Sequence, residues 1–395
     1  MSNPNPAPQQ RLASLDQFRG YTVIGMILVN YVGGFAVVPE VLKHHNDYCS
    51  YADTIMPQFL FAVGFAFRLT FERRVQREGL GAAYGRMVRR LLGLALVAIV
   101  VYGTSAPAET WSQLVELGPF AALAASLKRE WFQTLMHIAA TSLWIVPVIR
   151  SSFNVRIGYA AISAVLHVLL SWQFNFVWCN SSPNAIDGGP LGFLTWSIPA
   201  IVGTLACDVI AVHDRRTPWL KLIVASVALM AVGWGLSCGT RFYDVPPERI
   251  EELKEVRLAE NPVVPAGEQL QFRGLAEAPF VQPPPMKERK WNYWMMSQRA
   301  GTLSYLTFCA GFSLIVYLVF HFLCDKLHWE VSLFRIFGTN ALIAYILHSM
   351  VMGAIKPFVP RDAPEWYVIS SWLLVIVIMW SFVRYLERNK VFLRL

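Results

Sequence analysis

Mostly apolar runs recur along this chain at about the 20-residue length that a membrane-spanning helix needs. About ten can be placed, over residues 18–38, 52–69, 91–103, 131–148, 157–173, 191–212, 220–238, 300–323, 333–354 and 367–382. Inside lipid, backbone N–H and C=O groups have only their own segment to bond with, so each run is expected to be a helix. Soluble domains carry about 25% charged residues; this chain carries 15%, with 55% hydrophobic residues and a mean hydropathy of +0.41. The expected fold is all-α, a polytopic transmembrane bundle of about ten spanning helices.

The net charge of +8 follows the membrane rather than a nucleic-acid surface. Basic segments at 72–90, 150–156 and 213–221 and the tail "RYLERNKVFLRL" alternate with connections that are neutral, acidic or balanced. With Arg11 and Arg19 starting inside, ten crossings put every basic segment on the cytoplasmic face, and both termini with them. The polar, Pro-rich opening is not read as a cleavable signal, because the first apolar run is long enough to span. Trp131, Trp172, Trp294 and Trp366 fall near helix ends, where interfacial anchors belong.

The expected organisation is a cytoplasmic leader (1–17), a first transmembrane part of about seven helices (18–238), an extracytoplasmic insertion (239–299), and a second transmembrane part of about three helices with a basic tail (300–395). In the insertion, "PPERIEELKEVRLAE" carries Ile250, Leu253 and Leu258 near helical spacing, whereas "APFVQPPPMKERKW" is expected to be extended or irregular. A surface connector and a lid remain equal alternatives for it. No internal repeat of the kind common in secondary transporters is visible.

Ionisable groups at membrane depth are costly and are functional candidates by default. Topology sends several to the outer boundary: Asn30 late in the first run, His44, His45, Asp47 and Asp53 in or beside the next connection, Gln133 and His137, then Asp187, and His348 late in the ninth run. Asn340 falls in the inner half of that ninth run. Each has a plainer reading: packing for His137 and His167, helix tying for Asn30 and Asn340, turn chemistry for Asp187, a wet loop for the two histidines. The six cysteines show no metal spacing, and free apolar cysteines are favoured over a Cys49–Cys179 bridge. There is no P-loop, GxSxG, HExxH or Cys/His cluster, so no metal is expected. What remains is histidine with nearby carboxylates, a set suited to general-base or nucleophilic catalysis.

"SLDQFRGYTVIGMILVNYVGG" followed by "AD..MPQFLFAVGFAF" resembles the start of the heparan-α-glucosaminide N-acetyltransferase family and its bacterial relatives. The likeness continues at "EWFQTLMHIAATSLW", "DGGPLGFLTWSIPAIVGTLACD", "YLTFCAGFSLIVYLVFHFLCD" and "IFGTNALIAYILHSMV". It spans most of the membrane part but not the insertion. The resemblance implies transfer of an acetyl group from cytosolic acetyl-CoA to a terminal glucosamine across the membrane, using a loop histidine. "His45-Asn-Asp-Tyr48" fits the family's His-x-x-Trp pattern best, with Tyr for Trp and a connection about two residues shorter, which keeps His44 as an alternative. Asn30, Asp53, Asn340 and His348 match family positions, and Asp187 matches its Asp-x-x-Gly segment.

On that basis His45 is expected as base or acyl carrier, with Asp53 orienting it, Asn30 at the oxyanion and His348 as second proton handler. His44, Asp187, Asn340 and Gln133 are expected on the substrate side. Arg73, Arg74 and Arg90 are candidates for the phosphates of CoA, weighed against a purely topological role. Asp16 and Arg19 have the spacing to pair over one helical turn. The expected partners are acetyl-CoA as co-substrate, an amino-sugar or glycan acceptor and the bilayer, with a homodimer left open and no nucleic acid. The bacterial relatives imply the inner membrane. An O-acyltransferase acting on a lipid-linked or surface glycan and a small-solute permease stand as the rival readings.

Overall fold

Lipid leaves a backbone no partner but itself, and the apolar runs are helices in the computed structural model, which describes residues 12–212, 217–250, 258–267, 270 and 273–393. In chain order the helices are α1 (Ala13–Val32), α2 (Tyr51–Glu78), α3 (Leu80–Tyr102), α4 (Trp111–Ala125), α5 (Thr134–Ile145), α6 (Phe153–Leu170), α7 (Phe176–Asn180), α8 (Phe193–Cys207), α9 (Trp219–Ser237), α10 (Leu303–Phe320), α11 (Ser332–Thr339), α12 (Ala341–Ile355) and α13 (Glu365–Arg388). No β-strand occurs among the described residues, so the protein is an all-α membrane bundle.

Among the described residues, 7 helical segments are long and apolar enough to cross a membrane, starting at Tyr51, Phe153, Gly189, Trp219, Leu303, Ala341 and Glu365. That is fewer than the ten expected runs, for identifiable reasons. The helix of run 18–38 begins with Asp16 and Arg19, that of 91–103 carries Arg86, Arg89 and Arg90, and Thr134–Val148 is short. One helix was not expected at all. α4 fills what read as a bare connection, starting with a reciprocal Thr110–Gln113 capping box and breaking at Gly118 (φ 77) before Pro119.

Burial sorts the helices into a centre and a shell. The apolar windows of α2, α8 and α10 are buried for 61%, 72% and 61% of their residues, against 22% for α6, α9 and α12 and 28% for α13. The centre is close-packed because small residues let backbones touch. A Cβ on Gly64 would lie 1.9 Å from the Ala200 carbonyl oxygen, and one on Gly203 would lie 2.1 Å from that of Phe61, so α2 and α8 cross backbone to backbone. The same exchange between Gly20 and Gly338 locks α11 across the first turns of α1.

The described residues of the 239–299 segment are packed onto one end of this bundle. Arg289 pairs with Asp244 at 2.7 Å and with Glu277 at 3.2 Å, and Tyr243, Val263, Tyr293 and Met295 are buried beneath. Tyr293 hydrogen-bonds His167 of α6 at 2.8 Å, and the Phe280 N–H donates to the Cys49 carbonyl at 2.9 Å. Residues 251–257 of the expected amphipathic helix lie outside the described residues, as do 1–11 of the leader and 213–216 of the basic connection. On either side of 251–257 the expected helix is absent. Pro247–Arg249 is a single 3-10 turn, and Leu258 forms an isolated bridge with Trp291. All six cysteines are free, and the neighbour of Cys49 is Cys309, at 3.7 Å, rather than Cys179.

Candidate active site

The connection between α1 and α2 makes a 3-10 turn at Glu40–Leu42 and leaves it through Lys43 in extended conformation (φ −106, ψ 153). Successive side chains of extended chain point to opposite sides, so the adjacent histidines part company. His44 turns toward α2 and places Nδ1 2.9 Å from Asp53 Oδ1. His45 turns away, its Nε2 2.9 Å from the Glu40 carbonyl and its ring 4.4 Å from that of Tyr48. The carboxylate expected to orient His45 therefore orients His44, and His45 is held as part of the loop.

Asp53 is fixed from several sides. Ser50 caps α2 and forms a reciprocal box with Asp53, whose Oδ2 accepts from the Ser50 N–H at 3.0 Å and the His45 N–H at 3.4 Å. The Tyr305 hydroxyl of α10 donates to the Asp53 carbonyl at 2.5 Å. Asp53 is 1% exposed, whereas the His44 side chain is 43% exposed. Burial opposes charge on His44, but the hydrogen bond and charge of Asp53, with Asp187 beyond, outweigh it and raise its pKa above the ordinary histidine value. With Nδ1–H given to Asp53, Nε2 is the nitrogen left to take a proton.

His44 stands at the mouth of a cavity of about 80 Å³. Its walls are Thr22, Met26 and Asn30 of α1, Ile55, Met56 and Phe59 of α2, Thr134 of α5, Tyr345 of α12 and Gln298. From Asn30 to Thr22 the helix descends about 12 Å, so the cavity reaches well into the bundle. Apolar walls with a few placed polar groups are what small-molecule sites present. One of those groups is ordered from outside: Tyr345 shares a 2.6 Å hydrogen bond with Tyr102, which accepts from the Leu135 N–H at 2.9 Å.

The remaining expected residues divide. Asn30 lines the cavity, and its carbonyl accepts from Lys356 at 2.9 Å. Asp187 is 3% exposed at φ 55, its carbonyl accepting from Trp196 at 2.7 Å and its Oδ1 from Gln298 at 2.9 Å. Burial pushes its carboxyl up to about 6, against the pull of Gln298 and His44. Gln133 is spent at the start of α5, donating to the Glu130 carbonyl at 2.9 Å. His348 turns Nδ1 to the Tyr345 carbonyl of its own helix, and it is Tyr345 that faces the cavity. Asn340 is not brought to His44. It sits buried at the α11–α12 junction, two residues past the Gly338 contact with Asp16, at the far end of α1. His137, between Phe132 and Trp196, and His167, on Tyr293, are packing residues.

That far end also gathers the arginines. Arg90 lies in the field of Arg74 and Arg19, and Arg74 Nη1 is buried with no hydrogen-bond partner among the described residues. Arg73, beside them in sequence, is partly buried on α2. A group of like charges holding an unsatisfied guanidinium nitrogen suits an anion better than it suits the fold alone.

Gln298, Tyr345, Tyr102 and Thr134 were missed from the sequence. The tyrosines sit inside apolar runs and Gln298 in an irregular segment, so no period marks them. Compared with known proteins, the chain matches a family model described as an acyltransferase domain over residues 12–384. No curated protein matches it.

Proposed function

The chain belongs to the acyltransferase domain family and is a membrane acyltransferase; from that premise we propose that it moves an acetyl group from cytosolic acetyl-CoA to an amino sugar on the far side. The observation that carries this reading is the His44–Asp53 pair at the mouth of a cavity that descends between α1, α2 and α12. The match supports the acyltransferase family at large; the acetyl donor and the amino-sugar acceptor rest on the narrower likeness quoted from the sequence.

In this reading the insertion end faces the acceptor and the arginine end faces the cytosol. Arg19, Arg74 and Arg90 receive the nucleotide phosphates, while the pantetheine arm enters the bundle so that the thioester meets His44 at the top. Neutral His44 Nε2 takes a proton from the acceptor amine as its nitrogen attacks the thioester carbonyl. The C–N bond forms, the C–S bond breaks, and the CoA sulfur leaves with the proton carried by His44. Asp53 stabilises the imidazolium between those events, as the third member of a triad does. In this reading the Asn30 amide meets the developing oxyanion. Thioester to amide runs downhill, so no nucleotide hydrolysis is needed.

The test is acetyl transfer from radiolabelled acetyl-CoA to glucosamine by the purified protein in nanodiscs, with His44→Ala beside it. Transfer abolished in the variant supports the reading. Undiminished transfer overturns it. Alkaline hydroxylamine removes label from esters but not from amides, so a labile product would reassign the acceptor atom from nitrogen to oxygen.

A further inference from the structure

Gln298 belongs to the last turn of chain before α10, the segment that closes the 239–299 insertion, yet it lines the same cavity as His44. Its Nε2 donates to Asp187 Oδ1 at 2.9 Å. That bond fixes the amide's orientation, because a carboxylate only accepts, and the carbonyl oxygen is thereby left for the His44 side. Gln298 favours the charged form of His44, as Asp53 and Asp187 do.

The support behind Gln298 is built with care. Asp187 keeps a left-handed backbone at φ 55, a region that non-glycine residues seldom adopt. The conformation is held by Trp196, which donates to the Asp187 carbonyl at 2.7 Å. Next to it, the Gly188 N–H donates to the Arg299 carbonyl at 2.8 Å, and Thr195 donates to that of Gly301 at 2.6 Å. There is no room to relax, since a Cβ on Gly301 would lie 3.3 Å from the Gly188 Cα. Two loops distant in sequence are thus clamped together, and the polar product of the clamp is the Asp187–Gln298 pair facing His44.

We propose that Gln298, anchored by Asp187, is a positioning residue for His44 within the cavity they share, so that the segment closing the insertion is a structural part of the active site. The proposal deepens the acyltransfer reading and rests on it for its catalytic meaning. The Asp187–Gln298 hydrogen bond and the cavity that Gln298 shares with His44 stand on geometry alone. Other charged groups around His44 are His45 and Asp47 on its own loop and Arg299 beside Gln298, whose guanidinium meets the Asn46 amide oxygen.

The experiment uses the full chain in nanodiscs. Gln298→Met keeps the volume and removes the hydrogen bonds, Gln298→Ala removes both, and Asp187→Asn keeps a neutral acceptor for Gln298. Carbethoxylation of His44 by diethyl pyrocarbonate, followed by mass spectrometry across pH, reports its proton affinity without any turnover. In both Gln298 variants the midpoint is expected to fall by about one pH unit, a tenfold change in proton affinity, with Asp187→Asn between them and wild type. In the transfer assay kcat falls in parallel while the KM for acetyl-CoA holds. An unmoved His44 titration in Gln298→Met that melts like wild type overturns the positioning role, whatever the transfer assay shows. A moved titration in a protein that transfers no acetyl group would leave the clamp standing and overturn the acetyltransferase reading instead.

Discussion

Among the described residues the bundle contains two histidine–aspartate pairs, one at each end, and they are close to superposable in their chemistry. At the insertion end His44 Nδ1 lies 2.9 Å from Asp53; at the other end His321 Nδ1 lies 2.8 Å from Asp325. In both, the second carboxylate oxygen caps a helix, Asp53 taking the Ser50 N–H of α2 at 3.0 Å and Asp325 the Ser14 N–H of α1 at 3.2 Å. The difference is what happens to Nε2. For His321 it meets the Thr217 hydroxyl at 3.1 Å, under the Trp219 ring stacked 5.2 Å away, and the side chain is 7% exposed. For His44 the side chain is 43% exposed and borders the cavity. Dyad geometry is therefore shared by a latch and the proposed reaction centre. Access to the far nitrogen separates them.

Exchanging alanine for each histidine breaks the comparison most directly. His44→Ala is expected to lower kcat for acetyl transfer by about 10²–10⁴ with little change in melting temperature. His321→Ala is expected to keep kcat and lose stability by roughly 1–3 kcal/mol, since Asp325 and Thr217 are left without the ring. Radiometric transfer and thermal melting on the same preparations check both. If His321→Ala abolished transfer in a folded protein, the latch would be the reaction centre.

Asp53→Asn comes next. Asparagine can still cap α2 but cannot stabilise imidazolium, so a loss of roughly 100-fold in kcat is expected, with at most about 1 kcal/mol from the altered cap. The pH profile adds a sign. In the proposed mechanism His44 works as a base when neutral, and its pKa is raised, so activity in wild type is expected to climb as pH rises through that raised value. Removing the Asp53 charge lowers it and moves the acid limb to lower pH. A limb that stays in place would mean that another group titrates there.

His45→Ala is expected to stay within about 3-fold of wild type, because its ring serves the Glu40 turn rather than the cavity. This is where the sequence ran out. Helices, the polar connection and the aspartate beginning α2 are all readable: apolar length gives the helices, and Ser50-Tyr-Ala-Asp53 has the spacing of a capping box. The register of two adjacent histidines is not readable, because it depends on how the chain leaves the turn at Lys43. Gln298 is further out of reach. It is 111 residues from Asp187, in a stretch with no period, and only the docking of the insertion brings them together. Asn340 failed for the opposite reason: it matched a motif, but the helix it begins starts at the wrong end of the bundle.

The smallest effect concerns Asp187, and it tests whether the open end is a proton-rich site while the latch end is merely closed. The folded protein holds the Asp187 proton up to about 6, above the ordinary carboxyl value of 3.8. A folded state that binds a proton more tightly than the unfolded state is stabilised by it, so stability is full below about pH 4 and declines as pH rises through about 6. His44, also raised, adds a decline of the same sign that begins only above its ordinary 6.5. Asp187→Asn removes the first and leaves the second. In the variant the melting temperature should be level between pH 4 and 6, where wild type falls, and at pH 8 it should be higher by the equivalent of about 3 kcal/mol. Parallel curves for variant and wild type over that window would show that Asp187 keeps its charge in the folded protein, and the contrast between the two ends would reduce to access alone.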